Sequence, residues 1–151
     1  MGVGVSLFPL ASAVAEEGGC GIVSSACLDR LVSKRTGKKV NVREAAYEEV
    51  SLSKTKGGFA GINIMVALVR DYEDSVRGAL DAGADFIISG AGLPLNLPAI
   101  HPIKDTALIP IVSSARALDI ICKKWEKIGY RPDAVVLEGL ERRGNAGAVV
   151  P

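Results

Sequence analysis

One local pattern recurs along this chain and limits what it can fold into. An apolar run stops abruptly in residues with little or no side chain. Phe86-Ile87-Ile88-Ser89-Gly90-Ala91-Gly92 is the clearest instance. Cys20-Gly21-Ile22-Val23-Ser24-Ser25-Ala26, Phe59-Ala60-Gly61-Ile62-Asn63-Ile64, Ile109-Pro110-Ile111-Val112-Ser113-Ser114-Ala115 and Ala134-Val135-Val136-Leu137-Glu138-Gly139 follow the same grammar. Short apolar runs bounded in this way read as strands buried on both faces. The nearly bare loops after them leave backbone N–H groups free and let a ligand approach the main chain. In parallel α/β proteins ligands sit at the C-terminal ends of strands, so these tips are expected to converge on one ligand.

Helical patterns fill the gaps. Ser6 is placed to cap a helix over Leu7 to Glu17, with Pro9 in its first turn, Leu7, Leu10, Ala11, Val14 and Ala15 on one face, and Gly18-Gly19 ending it. The polar stretch Leu28 to Gly58 reads as a solvated helix and loop, with a helix over Val42 to Leu52. Asp71 is expected to cap a helix over Tyr72 to Ala82 that Gly83 stops, and a further amphipathic helix is expected over Ala117 to Ile128. Pro94, Pro98 and Pro102 restrict Leu93 to Ile103 to a short helix plus loop. Strands are predicted at Gly21–Ser24, Gly61–Ala67, Asp85–Ser89, Ile109–Ser113 and Asp133–Leu137. Such alternation means βαβ units, a parallel sheet of about five strands and right-handed crossovers. The organised part is residues 1–139. The tail 140–151 has no strand–helix sequel and is expected to be atypical.

Composition narrows the function. At 151 residues, 48% hydrophobic, the chain can bury a real core, and a net charge of +1 offers no footprint for nucleic acid. No apolar run reaches membrane-spanning length and no secretory signal opens the chain. Cys20, Cys27 and Cys122 lack metal-ligand spacing, so no metal is expected. They read as reduced, mostly buried thiols of a cytoplasmic protein.

Several loops together resemble the nitronate monooxygenase (2-nitropropane dioxygenase) family, FMN enzymes on a TIM barrel with a barrel-type enoyl-acyl-carrier-protein reductase as near relative. The matching pieces are Met1-Gly2-Val3-Gly4, Gly61-Ile62-Asn63-Ile64-Met65, Ala82 to Pro94, Pro110-Ile111-Val112-Ser113-Ser114 and Pro132 to Gly139, in the family's order. The resemblance implies a partial TIM (β/α) barrel whose first and last strands are missing. It implies FMN at the strand tips, held by Met1, Gly2, Val3, Asn63, Ser89, Gly90, Ala91, Gly92, Ser113, Glu138, Gly139 and Gly144. It also implies oxidation of alkyl nitronates with O2 to a carbonyl compound and nitrite. The alternatives are an NAD(P)H-dependent flavin reductase, of quinone or enoyl-acyl-carrier-protein type, and a non-catalytic partial barrel. Open sheet edges imply a homo-oligomer.

An isoalloxazine ring needs a concave, mostly apolar mouth with a few polar groups, and the residues are suited to that. Asn63 offers donor and acceptor within an otherwise apolar strand. Each tip serine meets the ligand, satisfies a strand-end carbonyl or caps the next helix. Glu138 could bind a ribityl hydroxyl, accept a proton or cap a helix. The family's catalytic histidine aligns with Asn145, and an amide cannot act as a base. His101, the only histidine, is either a stand-in catalytic group or a loop residue bonded to backbone.

Overall fold

The computed structural model describes residues 2–139 and 148–150. Strands β1 (Cys20–Ser24), β2 (Phe59–Met65), β3 (Phe86–Gly90), β4 (Ala107–Val112) and β5 (Val135–Leu137) lie side by side in chain order, all parallel. A sixth, β6 (Ala148–Val150), pairs antiparallel with β5. It falls in the tail, where the sequence pattern shows no strand.

Helix α1 (Phe8–Glu16) precedes β1, α2 (Leu28–Thr36) and α3 (Val42–Ser53) join β1 to β2, α4 (Val69–Asp81) joins β2 to β3, a 3-10 turn at Leu97–Ala99 lies between β3 and β4, and α5 (Ala115–Glu126) joins β4 to β5. Sequential parallel strands with helical crossovers are the arrangement of an opened TIM barrel. Among the described residues the sheet stays open, and β1 is one of its edges.

Register explains the core. Val23, Ile62, Ile87 and Leu108 form one cross-strand row, each fully buried. They join Ala11, Val50, Val76, Ile121 and Trp125 from the helices in a single cluster. Burying each such branched side chain contributes about 1.5–3 kcal/mol, so this row anchors the sheet to its helices. The next row, Ser24, Asn63, Ile88 and Ile109, points the other way because side chains alternate along a strand. On that second face Ile22 is 37% and Phe59 58% exposed.

Several sequence-based expectations need correction. Cys20 and Cys27 are exposed and Cys122 is half-buried, because Cys20 shares the second face with Ile22. On α1 only Ala11 and Ala15 are buried, while Leu10 and Val14 stay exposed. Helix α1 starts at Phe8 with Leu7 as N-cap, and no side chain caps it locally, so Ser6 does not. Asp71 lies inside the first turn of α4, which begins two residues earlier, at Val69. The polar stretch is far from solvated throughout. It forms α2 and α3 and buries Leu28, Val32, Ala45, Ala46 and Val50. Helix α3 carries a full capping box, with Asn41 and Glu44 bonding each other's backbone N–H at 2.9 Å.

The ends of the strands differ in character. At the N-terminal end, Asp85 accepts from the Ala60 N–H at 2.8 Å while donating its own N–H to the Ala60 carbonyl. Asp133 makes the same pair of bonds to Leu108. Each carboxylate closes one strand onto its predecessor. This end therefore serves stability, and the chemistry is sought at the other.

Candidate functional site

At the C-terminal end of the sheet the loop Gly2–Ser6 lies against the tip of β1. Val5 and Ser6 donate to the Gly2 carbonyl at 3.0 and 2.8 Å, which closes the turn, and Ser24 N–H donates to the Ser6 carbonyl at 2.8 Å. Gly4 takes φ +71°, a left-handed conformation that suits glycine. The amides of Val3 and Gly4 lie outside the bonds that close the turn. Ser24 sits beside Asn63 in the register, and Asn63 is half-buried on the same face as Ile88. Met65 pairs with Gly90, so the tip of β3 comes next in the same arc.

The β3 tip itself is under strain. Ala91 is held at φ +54° without being glycine, and Gly92 at +138°. Strained backbone of this kind concentrates at ligand-binding loops. Beyond it, the Pro94 carbonyl accepts from the indole N–H of the buried Trp125 at 3.0 Å, which ties the loop to α5.

The structure brings Gly2, Val3, Asn63 and Gly90 to one end of the sheet, and Asn63 and Gly90 to one face. Ser89 stands with Ile64 on the helix-facing side, fully buried, with its hydroxyl 2.9 Å from Tyr72 OH. Its side chain is committed there, although its backbone remains at the tip. Burial pushes the Tyr72 hydroxyl up to about 12, against the lowering effect of the Ser89 bond. Tyr72 carries no signal in the sequence that singles it out. Ser113 is exposed at the tip of β4, whereas Ser114 caps α5 by accepting from the Ala117 N–H at 3.2 Å. The Glu138 N–H donates to the Val112 carbonyl at 2.8 Å, and Gly139 follows. Met1, Gly144 and Asn145 lie outside the described residues.

His101 belongs elsewhere. Its Nε2 is 2.9 Å from Asp81 Oδ1, at the end of α4 and beside the residues leading into β3. There it lines a cleft of about 620 Å³ with Asp81, Gly83, Asp85, Lys104 and Thr106, at the N-terminal end of the strands. Arg43, 2.6 Å from Asp81, holds that carboxyl below its ordinary range, with His101 adding to the effect. His101 therefore lies at the opposite end of the strands from Asn63 and Gly90.

Fold and tips together define a (β/α)-barrel segment whose strand tips carry small residues and one amide side chain beside apolar ones. The chain belongs to the nitronate monooxygenase family, whose model matches residues 1–151 and whose members are in general FMN enzymes. Among solved structures it is similar to FabK from Thermotoga maritima, with 26% identity, a TM-score of 0.66 and 96% of this chain covered. A mutant of the same protein gives a TM-score of 0.69 at 26% identity. The chain spans 40% and 42% of the length of those two structures. No curated protein matches it. Among the described residues no helix is long and apolar enough to cross a membrane.

The residues at the mouth fit a flavin in the character of their donors. Asn63 and the tip amides would supply the few polar contacts that an apolar ring needs. Among the described residues, a Cβ at Gly4 would meet only Leu31, at 3.7 Å, and one at Gly139 would meet nothing within 4 Å.

Proposed function

We propose that this chain forms the flavin-binding part of an FMN-dependent oxidoreductase that oxidises alkyl nitronates with O2 to a carbonyl compound and nitrite. The observation that carries the reading is the arc at the strand tips: the Gly2–Ser6 loop on Ser24, then Asn63, then Gly90, all at one end of the sheet. The Gly2–Ser6 loop, Asn63, the Gly90–Gly92 loop and Glu138-Gly139 would hold the cofactor. FMN, when bound, supplies the electron acceptance that no side chain here can supply. The chain's own part is to seat the ring, bind its polar edge and shield one face from water. Met1, Ser113 and Gly144 belong to the proposed binding set through the family resemblance.

Asn145, at the family's histidine position, sharpens the substrate. An amide does not take up a proton near neutrality. A neutral nitroalkane must lose a proton before oxidation, whereas a nitronate has already lost it. We therefore expect nitronates to react and neutral nitroalkanes to react poorly. Two exposed free thiols, Cys20 and Cys27, suit a reducing cytoplasm. The open sheet edge at β1 suits a homo-oligomer.

The test is FMN titration followed by anaerobic mixing with propyl-2-nitronate. Bound flavin should quench in fluorescence and then bleach on mixing. Failure to take up FMN would overturn the reading. The likeness to FabK favours a second reading, a flavin reductase driven by NAD(P)H, and rapid bleaching by NADH with none by nitronate would select it.

A further inference from the structure

Helix α1 follows the glycine loop directly, yet it starts without a side-chain cap of its own, since Leu7 is the N-cap. A helix start has backbone N–H groups that must find partners elsewhere. The Phe8 N–H finds Glu49 Oε2 at 2.7 Å, from a residue 41 positions away on α3. Glu49 is fully buried. Its other oxygen accepts from Arg35 Nη1 at 2.5 Å, and Arg35 Nη2 reaches Glu48 at 2.6 Å. The same guanidinium stands 4.7 Å over the Phe8 ring.

A buried carboxylate is costly unless its lone pairs are filled, and here a backbone amide and a guanidinium fill them. Phe8 is thus gripped twice, by its amide through Glu49 and by its ring through Arg35. Two residues earlier, the Ser6 carbonyl is fixed to β1 by Ser24. The grip and the strand bond bracket the loop–helix junction at the site.

We propose that Glu49, held by Arg35, is a positioning residue for the glycine loop: it caps α1 from another helix and thereby sets where Gly2–Ser6 presents its amides to the ligand. It touches no reacting atom. The identity of the ligand rests on the flavin reading, but the ordering of the loop does not.

Glu49→Gln tests this on the full chain. The amide keeps the shape but turns one acceptor into a donor, which must then face either the Phe8 N–H or the guanidinium. Two quantities are read on protein shown to be folded by circular dichroism: hydrogen exchange of residues 2–10 without ligand, and the Kd for FMN from fluorescence quenching. Exchange in 2–10 should quicken about tenfold or more, and the Kd should rise about tenfold. Ile121→Val, which trims a buried side chain on α5, should lower Tm while leaving both unchanged. Wild-type exchange and affinity in Glu49→Gln would overturn the proposal. Should wild type bind no FMN, the flavin reading fails, and exchange alone still decides whether Glu49 orders the loop. If Glu49→Gln does not fold, Arg35→Gln, with a side chain 32% exposed, takes its place with the same expected pattern.

Discussion

Replacing Gly90 by alanine puts a methyl group where β4 already stands. A Cβ at this position would lie 2.7 Å from Ile111 Cβ, 2.9 Å from its Cδ1 and 3.0 Å from its Cγ1. Ordinary contact begins at 3.4 Å, and the nearest atom is a Cβ fixed to the backbone rather than the swinging end of a side chain. A shortfall of roughly 0.7 Å against such an atom needs a strand shift, so the cost belongs near the top of the overpacking range, about 2–3 kcal/mol. Trp125 is the only tryptophan and is fully buried, so urea unfolding followed by its fluorescence reads the whole fold. Ile111→Gly removes the obstructing atom. On that background the alanine should cost less by about 1–2 kcal/mol, as a coupling energy in a double-mutant cycle. A Gly90→Ala protein within about 0.5 kcal/mol of wild type, or a double mutant whose cost is the plain sum of the singles, would refute the packing account. Gly90 would then matter for ligand approach alone.

Two further outcomes are expected. Tyr72 is raised to about 12, so its folded form keeps the phenolic proton after the unfolded chain, at about 10, has lost it. Stability contributed by this group is therefore complete below about pH 10 and falls as pH rises towards 12, by up to about 2–3 kcal/mol, and Tyr72→Phe should flatten that part of a urea-midpoint pH profile. Asp85→Ala should leave the buried Ala60 amide without its carboxylate partner and cost about 1–3 kcal/mol, with Asp85→Asn losing clearly less because an acceptor oxygen remains. Equal losses in denaturant midpoint would show that the bond to Ala60 is not what counts.

The parallel order and strand tips were legible because the apolar runs and their glycine stops recur with little else between them. What the pattern does not carry is which way each side chain points. Ser89 and Gly90 are neighbours in one tip, and the sequence treats them as a cluster, yet period-two alternation sends Ser89 to Tyr72 and Gly90 to Ile111. Cys20 is exposed for the same reason. Runs such as Cys20–Ser24 look buried on both faces, but only the Val23 face is packed by helices. Helix α2 was hidden by its charge, since Leu28 and Val32 alone bury its inner edge. Glu49 falls in one periodic set with Ala45, Ala46 and Val50, yet only the fold brings the amide of Phe8 to it.

The paired bonds of Asp85 to Ala60 and of Asp133 to Leu108 act as clasps at the base of neighbouring strands. A strand clasped at its base cannot slip by one residue without breaking the clasp, so alignment is decided far from the tips. Loops at the other end are thereby released from any duty in keeping the strands aligned. Away from Gly90, where Ile111 leaves no room, new side chains can be tried one tip at a time while the clasps hold the alignment beneath them.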